Sequence, residues 1–394
     1  MNMTVSDRIK RVKPSITLAV SAKARELKAQ GVDVIGLGAG EPDFDTPAHI
    51  RAAAVRAIES GQTRYTAVDG TPELKAAIRS KFKRDNALKY EDAQIIVSTG
   101  AKQSLYNLCM AVLNPGDEAI IPAPYWVSYP DMVRLADGEP VFINAGPEQN
   151  FKIAPQQLAA AITEQSRLLV INSPSNPTGV AYTRLELIAL GEVLEAHPRV
   201  MIVTDDMYEQ IYWGKEPFCS FATACPALAD RTIVVHGVSK AYAMTGWRIG
   251  YAAGPEEIIK AMKKLQGQST SNPASISQAA AVAALAGDQT CVGEMNSAFH
   301  ERHDFVVPAL NKLKGVSCTP GDGTFYAFPD FSEAIARTPG IATDVEMAAH
   351  LLASARVALV PGSAFGAPGH LRLSFASSLD VLNVALERLE SSLG

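Results

Sequence analysis

Cysteine is scarce and unpatterned. Cys109, Cys219, Cys225, Cys291 and Cys318 make an odd count of five in 394 residues, with no CxxC pair and no histidine at metal-ligand spacing. A disulfide framework and a metal centre are therefore not expected, and a reducing, cytoplasmic setting fits best. Long apolar runs are missing as well. No stretch of ~18 uninterrupted apolar residues occurs, and the alanine-rich 279–286 is far too short to span a bilayer, so no membrane partner is expected. The apolar stretch 16–20 imitates a secretory signal only faintly and runs straight into the polar Arg25 and Glu26, which argues against export. Charge of one sign is not in excess: 36 Lys and Arg against 41 Asp and Glu leave a net −5 without a basic block, which argues against nucleic acid as a partner. Internal repeats and low-complexity segments are absent too. What remains is an ordinary globular balance, 47% hydrophobic and 20% charged, in a chain long enough for two or three domains and a large core.

Strands and helices alternate from residue 94 onward. The apolar runs 95–98, 119–121, 141–143, 168–171, 201–203 and 232–235 are strand candidates, with helical spacers near 126–136, 155–162 and 183–196. Such alternation predicts a mostly parallel sheet covered on both faces. Before it come a polar arm to Pro14, a helix over 16–30, a strand over 32–37, a loop GAGEPDFDTP over 38–47, a helix to about residue 60, and a helix capped at Thr71 and Pro72. After it, helices at 255–266 and 273–287 and a long one over 294–313 lead to short strands at 324–328, 357–360 and 371–375. The loop's Gly36, Gly38 and Gly40 hint at a dinucleotide fingerprint. Glu41 and Pro42 stand where the last glycine and a helix should follow, so the loop reads as a place of close backbone approach instead.

The chemistry concentrates in VVHGVSKAYAMTGWRIGY, residues 234–251. A β-branched strand ends at Gly237, so Lys240 emerges at a strand end, where open α/β sheets bind ligands. Packed among Ser239, Ala241, Tyr242 and Ala243, its ammonium loses hydration and gives up its proton more readily, as a Schiff-base nucleophile must. Arg248 returns a fixed cation to the same place, in a fork suited to phosphate. The plainer reading, taken alone, is that both are ordinary charges on a solvated loop.

Four further stretches carry weight. Gly100, Ala101 and Lys102 open a helix, whose free N–H groups favour an anion. SPSNPTG, 173–179, fixes Asn176 between two prolines at a strand end. Asp205 and Tyr208 end the next strand, and a carboxylate emerging there is costly unless it meets a cation, with Asp206 read as its solvated neighbour. Arg372 lies between Leu371 and Leu373, and an inward arginine wants a carboxylate, whether from a ligand or from a structural ion pair. A lysine, two phosphate anchors, a carboxylate for a ring nitrogen, and a phenol and an amide for a ring oxygen are the set that pyridoxal 5′-phosphate (PLP) requires.

In GEPDFDTP (40–47), TRYT (63–66), STGAKQ (98–103), PYWVSYP (124–130), NSPSNPTG (172–179), DDMYE (205–209) and SKAYAMTGWRIGY (239–251), in this order, the sequence resembles the class I aminotransferases of PLP fold type I over nearly its whole length. It is most similar to the bacterial aspartate and aspartate/prephenate enzymes. The resemblance implies an α/β fold with a large domain, 48–293, holding a mostly parallel sheet covered by helices, and a smaller α+β domain made from both chain ends. Of these ends, 1–47 would give the N-terminal arm and part of the small domain, and 294–394 the rest. It implies that Lys240 holds PLP as a Schiff base, that Asp205 keeps the pyridine nitrogen protonated, and that Tyr208 and Asn176 bond the ring oxygen. The phosphate would meet Ala101, Lys102, Ser239 and Arg248, with Tyr65 arriving from the partner of a homodimer. Trp126 would stack on the ring, and Arg372, Asn176, Trp126 and the Gly40 backbone would hold the substrate α-carboxylate. Lys13 and Lys102 would meet the distal carboxylate of dicarboxylic substrates. Two departures stand out: Asp206 replaces a glutamate common at that place, and Gly237 stands where some relatives carry a second phosphate-binding serine.

The expected function is thus transfer of an amino group between aspartate or glutamate and 2-oxo acids, with prephenate as a further acceptor. The rivals are a carbon–sulfur β-lyase on the same fold, an aminotransferase for aromatic or neutral amino acids, a reductase using the 36–40 loop for NAD, and a non-catalytic PLP-binding regulator.

Overall fold

Runs of β-branched and aliphatic residues too apolar to face water on either side form the centre of the molecule. In a computed structural model, residues 4–12, 14 and 16–394 are described. Their strands are β1 (Ile35–Gly36), β2 (Ile95–Ser98), β3 (Glu118–Ala123), β4 (Glu139–Asn144), β5 (Ser166–Asn172), β6 (Met201–Asp205), β7 (Thr232–Gly237), β8 (Gly250–Ala253), β9 (Tyr326–Ala327), β10 (Val357–Ala358), β11 (Val360–Pro361) and β12 (Leu371–Ser374). Seven join in one sheet of order β2-β8-β7-β6-β5-β3-β4. All neighbours pair in parallel except β8, which runs antiparallel to both β2 and β7.

The strands β2, β6, β7 and β8 are buried along their whole length, as a sheet covered on both faces demands. Alternate residues feed two cores. Ile96, Val203, Val235 and Ala252 pack with Leu105 and Leu108 of the helix Ala101–Val112. Ile95, Val97, Val234, Tyr251 and Ala253 pack with Leu74, Ile78 and Phe82 of Pro72–Asn86 and with Ala280, Ala281 and Ala284 of Ser275–Ala286. Thr71 caps Pro72–Asn86 by accepting from the Leu74 N–H, as its position before a proline predicts.

A second, smaller assembly draws on both chain ends. β1 pairs in parallel with β10, and β12 lies antiparallel between β11 and β9. The Leu37 N–H donates to Ala358 O and the Ser374 N–H to Leu37 O, which ties the segment after β1 to β12. Here the elements are shorter than the sequence suggests. The strand expected over 32–37 keeps two paired residues, and that over 324–328 shrinks to Tyr326–Ala327 because Thr324 takes a positive φ of 69°. The long helix runs Thr290–Leu310, four residues earlier at its start than expected, with Pro308 inside its last turn. The polar arm contains a helical turn, Asp7–Lys10, and Arg8 and Arg11 both reach Asp137. Among the described residues, no helix is long and apolar enough to cross a membrane.

Strand ends position everything that follows. Ser98, Asn172, Asp205 and Gly237 finish β2, β5, β6 and β7 at the same edge of the sheet, and the loops leaving them carry the polar groups.

Candidate active site

Lys240 leaves β7 on the turn 238–244 and donates from Nζ to the carbonyl of Gly40 at 2.5 Å. Its Nζ also lies 5.8 Å from the Phe325 ring centroid. Burial pushes its ammonium down to about 8, the positive charges of Arg372 and Arg248 add to this, and Glu41 and Asp205 oppose it.

Asp205, at the end of β6, is buried and accepts from the Tyr129 hydroxyl at 2.7 Å and from the Met207 N–H at 3.3 Å. Burial raises its carboxyl pKa, and the Tyr129 and Met207 bonds, then His236 and Lys240, pull it back. The Asn172 amide donates to the Asp205 carbonyl at 2.9 Å and its own Oδ1 accepts the Asn176 N–H at 2.9 Å, so one side chain spaces the two loops. Asp206 corrects the sequence reading. It is fully buried rather than solvated, because it shares a face of the sheet with Thr204, whose hydroxyl donates to its Oδ1 at 2.5 Å, and that face is covered as well.

Arg372 is 3% exposed and has no carboxylate partner among the described residues. It donates to Asn176 Oδ1 at 2.9 Å and to the Gly38 carbonyl at 2.8 Å, while its Nε has no partner. The rings of Tyr326 and Phe365 flank it at 4.3 and 4.9 Å. The structural ion pair weighed above is thus not what holds it. Gly40 passes so close to this cluster that a Cβ there would fall 2.5 Å from the Tyr326 hydroxyl. Tyr208 joins it through a 3.1 Å contact with the same hydroxyl.

The opposite side is basic. Gly100 takes a φ of 84° and opens the helix at Ala101; a Cβ on it would lie 2.3 Å from an Arg248 guanidinium nitrogen. Arg248 itself sits at a φ of 56° and donates to the Thr245 carbonyl at 2.7 Å. Lys102 Nζ is 4.8 Å from the Trp126 ring, and the protein around it, then Arg248, push its ammonium pKa down. Ser239 is buried beside Lys240. Lys102, Lys240, Arg248 and Arg372 make no ion pair among the described residues, so four cations gather with no carboxylate bound to any of them. Tyr65 is the residue this chain does not bring in: it is 91% exposed, on a loop fixed by bonds from Ser275 to Gln62 O and from Gln278 to Thr66. Lys13 lies outside the described residues.

Tyr129, Asn172, His236 and Tyr326 take part without having been singled out from the sequence. Tyr129 and Asn172 lie inside motifs already quoted, three residues after Trp126 and four before Asn176. Tyr326 had no signal beyond its place on a short strand.

The sequence pattern of the family described as "Aminotransferase class I and II" matches residues 32–389. The chain belongs to that family and is a transaminase. It is similar to an aspartate/prephenate aminotransferase of Nitrosomonas europaea, 56% identical over 99% of this chain and 100% of the relative. An aspartate aminotransferase of Geobacillus stearothermophilus is 52% identical over 98% of each chain. Among solved structures, the aspartate aminotransferase of Rhizobium meliloti superposes with a TM-score of 0.96 at 49% identity, over 100% of this chain and 99% of that one. That of Thermus thermophilus with maleate gives 0.93 at 43%, over 99% and 100%. These neighbours carry the expected α/β architecture with its large, mostly parallel sheet.

Proposed function

We propose that this transaminase uses PLP to move the amino group between aspartate or glutamate and 2-oxo acids, with prephenate as a further acceptor. The observation that carries the reading is Arg372, a buried guanidinium without a carboxylate, on the same pocket as Lys240. An amino or keto acid brings the missing carboxylate to it, in a bidentate fork.

The residues present fit PLP. Arg248, Ser239, Lys102 and the first N–H groups of the helix at Ala101 are donors without an anion, which suits the phosphate. Asp205 is a buried carboxylate without an ion-pair partner, which suits a protonated ring nitrogen. Tyr208 and Asn176 offer a phenol and an amide to the ring oxygen, and Trp126 a face for the ring. Bound there, PLP would supply an electron sink for charge developing at the substrate Cα.

The chain's own groups do the rest. Lys240 Nζ takes the proton from Cα and later returns one; a pKa near 8 leaves a usable neutral fraction. Tyr129 and Met207 hold the Asp205 carboxylate so that it faces the pocket. Arg372 and Asn176, already bonded to each other, orient the α-carboxylate, and Lys102 meets a distal one together with Lys13. Relatives named for aspartate and prephenate, and a neighbour solved with the dicarboxylate maleate, support acidic substrates.

A homodimer belongs to the same reading, supported by the exposed Tyr65 and by an Arg248 open to solvent in the single chain. So does the division into 48–293 and a smaller domain from 1–47 and 294–394, supported by the pairing of β1 with β10. Five free cysteines support a reducing cytoplasm.

Steady-state assays of wild type and Lys102→Ala test the substrate choice. The wild type should prefer aspartate and glutamate over alanine and phenylalanine. Lys102→Ala should lose about tenfold in kcat/KM for aspartate and little for alanine. Equal losses on both substrates overturn recognition by Lys102. Release of ammonia and pyruvate from a thioether amino acid, at rates above transamination, makes the enzyme a carbon–sulfur β-lyase instead.

A further inference from the structure

We propose that Tyr326 is a positioning residue with two separable tasks: its ring backs the Arg372 guanidinium, and its hydroxyl donates to Tyr208, leaving the Tyr208 proton free for the cofactor's ring oxygen. This rests on the PLP aminotransferase reading and assigns it a residue outside the motifs that suggested it.

The register explains the first task. In the antiparallel pair of β9 and β12, Tyr326 stands opposite Ser374, and Arg372 is two residues from Ser374 on the same face. Arg372 and Tyr326 are therefore diagonal neighbours, within reach for long side chains. The guanidinium carbon sits 4.3 Å from the Tyr326 ring centroid and 4.9 Å from that of Phe365. A cation held against two rings keeps its plane and its remaining N–H groups ready for a carboxylate, with no internal acid to compete.

The second task follows from counting protons. The Tyr208 and Tyr326 hydroxyls are 3.1 Å apart, and neither has another hydrogen-bond partner among the described residues. Burial raises the pKa of both phenols, so each keeps its proton, with Arg372 the charged group beside both and Asp205 beside Tyr208. One bond takes one of the two protons. Donated by Tyr208, it would spend the proton that Tyr208 needs for any ligand. The Tyr326 proton has no such second use, because Gly40 closes over its oxygen so tightly that a Cβ would be 2.5 Å away. Donation from Tyr326 to Tyr208 thus satisfies both groups, and a phenol that accepts one bond becomes a stronger donor in the next.

Two variants of the PLP-loaded enzyme separate the tasks, each compared with wild type for succinate affinity and for the pH midpoint of the bound cofactor's absorbance. Tyr326→Phe keeps the ring: succinate affinity should stay within about twofold, while the midpoint rises by about half a unit as the donor to the ring oxygen weakens. Tyr326→Leu removes the ring and should weaken succinate about tenfold. In a Tyr208→Phe background, the midpoint shift caused by Tyr326→Phe should vanish, which a general loosening of the fold would not produce. Unchanged succinate affinity in Tyr326→Leu overturns the first task, and a midpoint shift of equal size with and without the Tyr208 hydroxyl overturns the second. Failure of the PLP reading itself would look different: the wild type would show no cofactor absorbance to titrate.

Discussion

Asp205 and Asp206 are adjacent in the chain, yet their surroundings give them different chemistry. Asp205 has Tyr129, Met207 and the pocket; Asp206 has the Thr204 hydroxyl on its Oδ1 and Ser220 beside it. Burial pushes the Asp206 carboxyl up to about 7, with the negative charge of Glu209 adding to this and Ser220, Thr204 and Lys81 opposing it. A carboxyl whose folded pKa exceeds its unfolded one binds an extra proton in the native state between those values. Stability then falls as pH rises from about 4 to 7 and stays penalised above. Glu209 is the converse: Lys81 and His236 hold it far below the usual carboxylate range despite burial, so its contribution is constant above pH 5. His303, lowered by burial, opposes the Asp206 slope near pH 6, which makes the difference between two variants the clean readout. Asp206→Asn should be about 1–3 kcal/mol more stable than wild type at pH 8, the gap closing toward pH 5. Denaturant titrations at the two pH values decide, and a gap independent of pH would mean that Asp206 does not titrate in the native state.

The helix Ala101–Val112 owes its functional start to two glycines on different elements. Gly100 reaches its φ of 84° because it has no Cβ, and the absence of that Cβ lets Arg248 lie against it. Gly250, on β8, lets the strand pass beneath the helix opening, where a Cβ would be 2.0 Å from the Ala101 nitrogen. Gly100→Ala should therefore leave the fold in place but displace Arg248 and weaken PLP retention about tenfold or more, from strain of about 1–3 kcal/mol. Equilibrium dialysis of PLP against the variant measures it; retention equal to wild type would remove Arg248 and this helix start from the phosphate site. This opening was legible because a strand, a glycine and a helix leave a strong pattern, as did β2, β6 and β7, whose apolar runs are buried on both faces. The short strands were not. β9 has two residues and is set by Thr324 and by pairing with β12, which is long-range information that no local period carries. For the same reason Asp205, Lys240 and Arg372 could be singled out as strand-end or inward charges, while Tyr326, which bears on Arg372, could not. Asp206 was misplaced because alternation after a pocket-facing acid suggests a solvated neighbour, whereas the other face of the sheet, which Asp206 shares with Thr204, is buried too.

Across the whole molecule, several large apolar and aromatic groups stay at the surface of the single chain. Tyr65 is 91% exposed, Val55 and Ile58 of the helix Ala48–Glu59 are more than half exposed, and Phe44 and Trp247 line a cavity with Thr46 and Gly246 at the surface. Exposed apolar and aromatic groups of this kind are what a second copy would cover. In a two-fold dimer, Tyr65 of each chain would serve the Arg248 and Lys240 of the other, which separates two residues of one site onto two chains. That arrangement predicts complementation. Tyr65→Ala and Lys240→Ala proteins, each of low activity at limiting PLP, would be mixed, unfolded and refolded together. A hybrid dimer then holds one site with an intact Lys240 from the first chain and an intact Tyr65 from the second. Random pairing makes about half the dimers hybrid with one of two sites intact, so the mixture should recover about a quarter of wild-type activity. If Tyr65 served its own chain, every site in the hybrid would lack one of the two residues and mixing would restore nothing, which is the result that would remove both the shared site and the dimer's part in it.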